Sequence, residues 1–262
     1  MKEITSRDNT AYKQALSLHQ KKYRQRTGRF LVEGQRALMT ALQENIPPLE
    51  LWVADSARES KESILAQVDS RTVRVVTDGL LQRLARTEEA QGIVAVFAVD
   101  SLPREVKEPV QDTIVVLDRV QDPGNAGTIV RIAAASGCQA VWTTCGSVDL
   151  FNEKAVRSTM GCLFQIPVRV DVTPDEIIAQ AREEHRAVYA AALRRSLPYS
   201  QILPAERAFW VFGNEGNGIT EEVLSSADGC YHIPLHNNVE SLNVAMAASV
   251  ILFYYRDMCL AT

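Results

Sequence analysis

The sequence lacks the features of a secreted, membrane-inserted or disulfide-stabilised protein. Its five cysteines are an odd number and include no Cys-x-x-Cys pair, so neither a disulfide framework nor a zinc knuckle is indicated. The longest apolar runs, such as residues 244–255, are shorter than the roughly 20 residues that cross a bilayer. The N-terminus has no apolar core followed by a cleavage site. We therefore expect no membrane partner and a cytoplasmic location.

Common nucleotide-binding and hydrolase motifs are also missing. The chain has no G-x-G-x-x-G and no G-x-x-x-x-G-K-[ST], which argues against Rossmann dehydrogenases, kinases and GTPases. It has no G-x-S-x-G turn, which disfavours a serine hydrolase. His232 and His236 are four residues apart, but Pro234 prevents the helix that would bring both rings to one metal. We predict no metal site.

What the sequence does contain is a balanced composition with an uneven charge. Hydrophobic residues make up 46% and charged residues 23%, which is typical of a globular protein with a substantial core. The net charge is −4, yet residues 1–36 carry +6 and the rest of the chain −10. Positive charge is thus concentrated in the N-terminal segment, although the chain as a whole is acidic.

The basic segment contains a cluster of five cations without an acid, interleaved with Tyr23 and Phe30. Such a pattern suits phosphate contacts combined with base stacking, and a solvated helix end is the competing interpretation. The predicted RNA-binding residues are Lys21, Lys22, Arg24, Arg26 and Arg29.

Hydrophobic periodicity predicts two α/β parts. After a helical pattern at residues 9–20, short strand-like and helix-like runs alternate at 30–32, 37–42, 49–53, 64–68, 73–76, 80–85 and 93–99. Residues 100–111 carry two prolines and five charges without periodicity. We therefore predict a first domain at 1–100, a linker at 101–111 and a second domain at 112–262.

The second part has longer elements. Its predicted strands are 114–117, 140–144, 168–170, 187–191, 209–212 and 231–233, and its predicted helices are 125–136, 152–160, 174–184, 221–225 and 243–257. Thr173 before Pro174 is a predicted N-cap, and Gly137 is predicted to end a helix. This alternation of strands and helices indicates a parallel sheet covered on both faces, with ligands at the carboxyl ends of its strands.

Three loops at that edge are unusual: the first two contain several glycines, and the third is rich in polar residues. They are Asp-Arg-Val-Gln-Asp-Pro-Gly-Asn-Ala-Gly at 118–127, Gly-Asn-Glu-Gly-Asn-Gly at 213–218, and Pro-Leu-His-Asn-Asn-Val-Glu-Ser-Leu-Asn at 234–243. Glycine-rich turns leave backbone groups free to meet a ligand at close range. Arg131 lies in an otherwise apolar helix, and because burial of a lone guanidinium is costly, we expect an anion to meet it. An internal ion pair is the alternative for Arg131.

The three loops resemble, in order and spacing, the three motifs of the SpoU/TrmH family of RNA ribose 2′-O-methyltransferases in the SPOUT class. The resemblance covers residues 112–257. The segment from Ile4 to Gly34 is similar to the N-terminal substrate-binding domain of the ribosomal-RNA members, which has a ribosomal-protein-like α/β fold. Asn237 departs from the family pattern, because many relatives have glycine there.

The resemblance implies a fold, a cofactor and a set of site residues. The fold is a C-terminal SPOUT parallel-sheet domain with a deep trefoil knot, preceded by a small α/β RNA-binding domain. S-adenosyl-L-methionine would be held by Gly213, Ile233 and Leu242. The reaction centre would comprise Asn125, Arg131, Glu215, Ser241 and Asn243. Family members are dimers, and the apolar final helix is consistent with a homodimer, a buried core helix being the alternative.

The predicted function is methyl transfer from S-adenosyl-L-methionine to a ribose 2′-hydroxyl of structured RNA. The basic N-terminal segment favours RNA over a protein or small-molecule substrate, and 23S ribosomal RNA is favoured over transfer RNA. A non-catalytic RNA-binding or ribosome-assembly factor that keeps the fold is the alternative from another class. Arg131 is expected to clamp a phosphate or polarise the hydroxyl, because a guanidinium does not deprotonate in proteins.

Overall fold

A computed structural model describes residues 1–87, 90–106 and 109–261. The chain forms two compact units, one of Met1–Leu102 with Phe151–Phe164 and the other of Pro103–Leu150 with Gln165–Thr262. Residues 151–164 thus belong to the first unit, although the sequence analysis placed them in the second domain. The linker predicted at 101–111 includes residues 107 and 108, which lie outside the described residues. The predicted boundary itself stays a prediction.

The elements up to residue 102 confirm the predicted alternation and add two that it missed. The missed elements are a three-residue strand and a very polar helix, neither of which carries a readable apolar period. In chain order the elements are β1 (Lys2–Ile4), α1 (Thr10–Ser17), α2 (Lys21–Thr27), β2 (Arg29–Glu33), α3 (Gln35–Gln43), β3 (Glu50–Ala54), α4 (Glu62–Leu65), β4 (Val73–Val76), α5 (Asp78–Ala85) and β5 (Ile93–Ala98).

The elements after residue 102 match the prediction, apart from a missed two-residue strand, β10. They are β6 (Asp112–Asp118), α6 (Pro123–Ala135), β7 (Ala140–Thr144), α7 (Glu153–Ser158), β8 (Val168–Val172), α8 (Pro174–Glu183), β9 (Ala187–Ala191), β10 (Leu197–Pro198), β11 (Arg207–Gly213), α9 (Glu221–Leu224), β12 (Gly229–His232) and α10 (Val244–Ala261).

The first unit is built on a five-stranded mixed sheet in the order β1-β4-β3-β5-β2. Strands β1, β4 and β3 are parallel, and β5 runs antiparallel to its neighbours β3 and β2. Residues 151–164 contribute α7 and two aromatic side chains to this unit. The rings of Phe151 and Phe164 lie 5.3 and 6.4 Å from that of Phe30, which is fully buried. Phe30 is therefore a core residue, and the predicted base-stacking role for it is wrong.

The second unit is built on a seven-stranded, wholly parallel sheet in the order β10-β12-β9-β11-β6-β7-β8. The predicted α/β fold class is confirmed, and the trefoil knot stays a prediction. Strand β12 comes late in the chain, yet it lies between β9 and β10, which are joined by only five residues. The central strands are apolar on both faces, as a sheet covered on two sides requires.

Local sequence explains where the helices of this unit begin and end. Asp122 caps α6 by accepting a hydrogen bond from the Asn125 backbone N–H, and Pro123 takes the first helical position. Thr173 and Glu176 form a capping box at α8, which confirms the predicted cap. Gly137 follows α6 with a φ of 76°, so the predicted helix stop is also confirmed.

Helix α10 packs on α6 and β11 through one face. The buried side chains on that face are Ala245, Ala248, Ile251, Leu252 and Tyr255. Its 18 residues have a mean hydropathy of 1.4, which is enough by length and composition to cross a membrane, and 28% of them are buried. The core helix of a soluble protein meets the same criteria, so this observation is weak evidence for a membrane span.

Candidate active site

The three loops predicted from the sequence follow β6, β11 and β12, whose carboxyl ends lie at one edge of the second sheet. Gly213 at the end of β11 lies opposite Asp118 at the end of β6. Ala191 at the end of β9 lies opposite both Phe212 of β11 and Tyr231 of β12. Because all these strands are parallel, their carboxyl ends share one edge, where ligands of α/β sheets bind.

A chain of side-chain hydrogen bonds joins the three loops. The Asn243 amide donates to Asn125 Oδ1 at 2.9 Å, and Asn125 Nδ2 donates to Glu215 Oε1 at 2.9 Å. The second Glu215 oxygen accepts from the Gln121 backbone N–H at 3.3 Å. Three of the five residues predicted for the reaction centre are therefore brought together by direct contacts.

Asn243 has a second role at the start of α10. Its Oδ1 accepts from the backbone N–H groups of Ala245 and Met246, at 2.9 and 3.4 Å. Asn243 thus caps the helix while its amide nitrogen reaches Asn125. The orientation of the third loop is therefore tied to the first turn of α6.

Glu215 is held as an anion by its neighbours. Partial burial raises the pKa of its carboxyl, but the hydrogen bonds from the Asn125 amide and from backbone N–H groups lower it more, so the net pKa lies below its usual value. An ionised carboxylate with occupied acceptor sites is a good orienting group and a weak base. This arrangement favours a positioning role for Glu215.

Asp118 is a buried acid at this edge that the sequence analysis did not single out. It is fully buried at the end of β6 and accepts from Thr144 Oγ1 at 2.9 Å and from the Thr220 backbone N–H at 2.6 Å. It thereby links β6 and β7 to the residues that follow the second loop. The sequence feature that could have identified Asp118 is the position of an acidic residue at the end of an apolar strand.

The second loop is organised by Asn214 and by the glycine before it. Asn214 Oδ1 accepts from the backbone N–H groups of Gly216 and Asn217, both at 2.9 Å. Backbone hydrogen bonds between Asn214 and Gly218 close the turn. A Cβ on Gly213 would lie 2.4 Å from the Gly218 carbonyl carbon, so only glycine permits this close approach.

Arg131 and Ser241 lie outside this hydrogen-bond chain. Arg131 is exposed, and among the described residues it makes no hydrogen bond or ion pair. The alternative of an internal ion pair is therefore wrong, because the arginine faces out of α6 into solvent. The expectation that an anion of a ligand or another chain meets Arg131 stays a prediction. Ser241 is also exposed and has no hydrogen-bond partner among those residues. Both side chains are free to meet a ligand or another chain.

The third loop offers backbone groups to a ligand. Between residues 235 and 242, the backbone N–H of Val239 donates to the His236 carbonyl at 3.2 Å. No other backbone N–H of this stretch donates a hydrogen bond within the described part of the chain. Asn237 and Asn238 have left-handed φ values of 56° and 57°. Asparagine tolerates this conformation, which explains how Asn237 replaces the glycine of many relatives.

These features fit the implied cofactor. Gly213 ends β11 and Ile233 follows β12, the strands on either side of β9, and Leu242 precedes Asn243, which contacts Asn125. Backbone amides of the third loop that make no hydrogen bond among the described residues suit the donors and acceptors of an adenine edge, and none of these three positions places a charge against it. The cofactor would therefore be held at Gly213, Ile233 and Leu242 by backbone groups.

The predicted RNA-binding cluster is divided by the structure. Lys21, Lys22, Arg26 and Arg29 are exposed, as a phosphate-binding surface requires. Arg24 is buried and its Nη1 donates to the Leu18 carbonyl at 2.7 Å, so it stabilises the end of α1 and its predicted RNA contact is wrong. The ammonium of Lys22 and the guanidinium of Arg26 lie 5.0 and 4.6 Å from the centre of the Tyr23 ring.

Comparisons with known proteins agree with this geometry. The SpoU rRNA Methylase family model matches residues 112–253, and a model of an MRM3-like substrate-binding domain matches residues 9–95. The chain belongs to the SpoU rRNA methylase family. The predicted family, the methyltransferase class and the cofactor S-adenosylmethionine are confirmed.

Individual members of the family match almost the whole chain. A 23S rRNA (guanosine(2553)-2′-O)-methyltransferase of Bacillus subtilis is 34% identical over 98% of this chain and 100% of its own length. A 23S rRNA (uridine(2479)-2′-O)-methyltransferase of Streptomyces viridochromogenes is 28% identical over 96% and 91%. The AdoMet-bound rRNA methyltransferase of Sinorhizobium meliloti superimposes with a TM-score of 0.83 at 31% identity, with 98% of both chains covered.

Proposed function

We propose that this SpoU family member methylates a ribose 2′-hydroxyl of 23S ribosomal RNA. The observation that carries the proposal is the hydrogen-bond chain from Asn243 through Asn125 to Glu215, which joins three loops at one sheet edge. The similarity to 23S rRNA 2′-O-methyltransferases supports this substrate. A ribosomal RNA substrate is compatible with the predicted cytoplasmic location, which we include in the proposal.

The protein's task in this reaction is alignment and proton removal. When bound, S-adenosylmethionine supplies a methyl group that is already electrophilic. Asn125, Glu215 and Asn243 hold the three loops in one arrangement so that the ribose hydroxyl can be placed in line with that methyl group. Arg131, exposed and unpaired within the described chain, clamps an RNA phosphate or polarises the hydroxyl. The proton leaves to phosphate or water in preference to Glu215, whose pKa is lowered.

The first unit supplies RNA affinity in this proposal. Lys21, Lys22, Arg26 and Arg29 are exposed on α2 and at the start of β2. Phosphate contacts of this kind are independent of sequence and weaken as salt is raised. These four residues therefore bind the backbone of the RNA, and recognition of the nucleotide itself occurs elsewhere.

The enzyme acts as a homodimer through α10 in this proposal. Leu242, Met246 and Val250 are exposed apolar residues at helical spacing on or next to the start of α10, with Met246 65% exposed. A stripe of this kind is costly to leave in water and is typical of an interface. The same stripe begins beside Asn243, so a partner bound there lies close to the site.

A charge in that stripe tests the dimer. Met246→Glu is expected to shift the sedimentation mass from dimer to monomer, because an uncompensated carboxylate would be buried. Val170→Glu is the matched control, since Val170 is 39% exposed and lies on β8 at the edge of the sheet. A monomeric wild-type protein, or a Met246→Glu variant that stays dimeric, would contradict this interface.

Methyl transfer in vitro tests the proposed function. Purified protein is incubated with labelled S-adenosylmethionine and unmodified 23S rRNA transcript, with transfer RNA as the competing substrate, and cofactor binding is measured by calorimetry. We expect cofactor binding and incorporation of label into 23S rRNA as a 2′-O-methylated nucleoside. Incorporation into transfer RNA alone would replace the substrate, and a folded protein that binds RNA but no cofactor would support the non-catalytic alternative.

A further inference from the structure

The connection between β9 and β10 lies beside the active site and is used by no step described above. Strand β9 ends at Ala191 opposite Tyr231, and β10 starts at Leu197, which is also opposite Tyr231 on the other side of β12. Residues 192–196 must therefore cross β12 at the level of Tyr231 and His232. These are the two residues immediately before Ile233, where the cofactor would be held.

Hydrogen bonds fix this crossing segment at both ends. The Ala192 backbone N–H donates to the Tyr231 carbonyl at 3.0 Å. Ser196 Oγ lies 2.9 Å from His232 Nδ1 and also donates to the Leu193 carbonyl at 3.0 Å. The segment is therefore a defined turn anchored to the end of β12.

The middle of the turn carries two adjacent arginines. Arg194 and Arg195 are both exposed, and neither makes a hydrogen bond, ion pair or ring contact among the described residues. Arg195 has a left-handed φ of 51°. Residues 37–262 are acidic overall, with a net charge of −10. Two unpaired cations at the sheet edge where the cofactor would lie therefore contrast with the negative net charge of residues 37–262.

We propose that Arg194 and Arg195 form a phosphate-binding turn that holds the RNA backbone next to the ribose being methylated. The inference rests on the proposed function and adds to it an RNA contact within the methyltransferase unit. Arginine suits this role because its planar guanidinium binds phosphate through two parallel N–H groups. The anchors to Tyr231 and His232 place this contact within a few residues of the cofactor loop, so the turn would orient the target strand toward the methyl donor.

The test compares binding and methylation of 23S rRNA transcript across a range of salt concentrations. For Arg194→Ala/Arg195→Ala we expect RNA affinity to fall about tenfold. The slope of log K against log salt should shrink by about 1.5, since each lost phosphate contact removes roughly 0.7 to 0.9. The affinity for S-adenosylmethionine and the melting temperature should not change, because both side chains are exposed and unpaired.

Two further variants separate a phosphate contact from other effects. Arg182→Ala is the matched control, because Arg182 is exposed in the last turn of α8, just before the opposite edge of the sheet. It should leave the salt slope unchanged. Arg194→Lys/Arg195→Lys keeps the charges and should recover most of the slope. An alanine variant with wild-type RNA affinity and salt slope would overturn the proposal, as would one that loses cofactor affinity instead.

Failure of the phosphate-binding turn can be distinguished from failure of the proposed function. If wild-type protein does not methylate the 23S transcript, the proposed function fails whatever the variants do. If wild-type protein methylates it and the alanine variant does so with the same RNA dependence, only the phosphate-binding turn is refuted.

Discussion

The contact between Asn125 and Glu215 gives the sharpest test of how the loops cooperate. Asn125 Nδ2 donates to the Glu215 carboxylate at 2.9 Å, and Asn125 Oδ1 accepts from Asn243. A hydrogen bond to a charged group contributes about 1.5 to 3 kcal/mol, and partial exposure places this one near the low end. We therefore expect a coupling free energy of about 1.5 kcal/mol, which is a factor of slightly more than ten in rate.

The assay is a double-mutant cycle on the single-turnover rate of methyl transfer at saturating RNA and cofactor. Asn125→Ala and Glu215→Ala should each lower the rate at least tenfold, and the double variant should be about ten times faster than the product of the two effects predicts. Asn217→Ala is the matched control, because Asn217 is in the same loop and its side chain has no partner among the described residues. Additivity within about 0.3 kcal/mol would refute the reasoning.

Three further predictions concern stability and reactivity. Gly213→Ala should lower the free energy of unfolding by about 1 to 3 kcal/mol and the melting temperature by several degrees, because the added Cβ would overlap the backbone of the turn. Gly79→Ala should lower neither, because a Cβ at Gly79 meets no atom within 4 Å. Arg24→Ala should lower the free energy of unfolding by about 1 to 3 kcal/mol, whereas Lys22→Ala should weaken RNA binding without a change in stability. Burial raises the pKa of the Cys138 thiol to about 12, so it should resist alkylation at pH 8 in the folded protein and react in urea; rapid labelling without denaturant would contradict this.

Most of the fold was predictable because the elements carry strong hydrophobic patterns. The β/α alternation after residue 112 has long apolar strands, and each expected helix is present. The missed strands β1 and β10 have only three and two residues, too few for a period to be recognised. Helix α2 was missed because its sequence, Lys-Lys-Tyr-Arg-Gln-Arg-Thr, has almost no apolar face.

Long-range packing could not be predicted from local pattern. Nothing in the sequence around Phe151 and Phe164 indicates that their rings pack with Phe30, which is 121 and 134 residues earlier in the chain. In the same way, a run of five cations gives no sign that Arg24 alone turns inward to a backbone carbonyl. Burial of a given side chain depends on the tertiary fold, and residue type gives only its average tendency.

The candidate site was predictable in its residue types and only partly in its geometry. Asn125, Glu215 and Asn243 were identified through the resemblance of the three loops to the family motifs, and the structure joins them. For Arg131 an anion from a ligand or another chain was expected, with an internal ion pair as the alternative, and the helix presents the side chain to solvent. The buried carboxylate of Asp118 was overlooked, since its role depends on the hydrogen bonds from Thr144 and Thr220.

In the proposed reaction, three loops at one sheet edge present a methyl donor to a ribose oxygen of 23S rRNA. The most direct measurement maps 2′-O-methyl groups at single-nucleotide resolution in total RNA from cells with and without this protein. We predict that one 23S rRNA position loses its ribose methyl group in the absence of the protein and regains it with wild-type protein but not with Asn125→Ala. An unchanged 23S rRNA methylation map, or the loss of a base methyl group instead, would contradict the account.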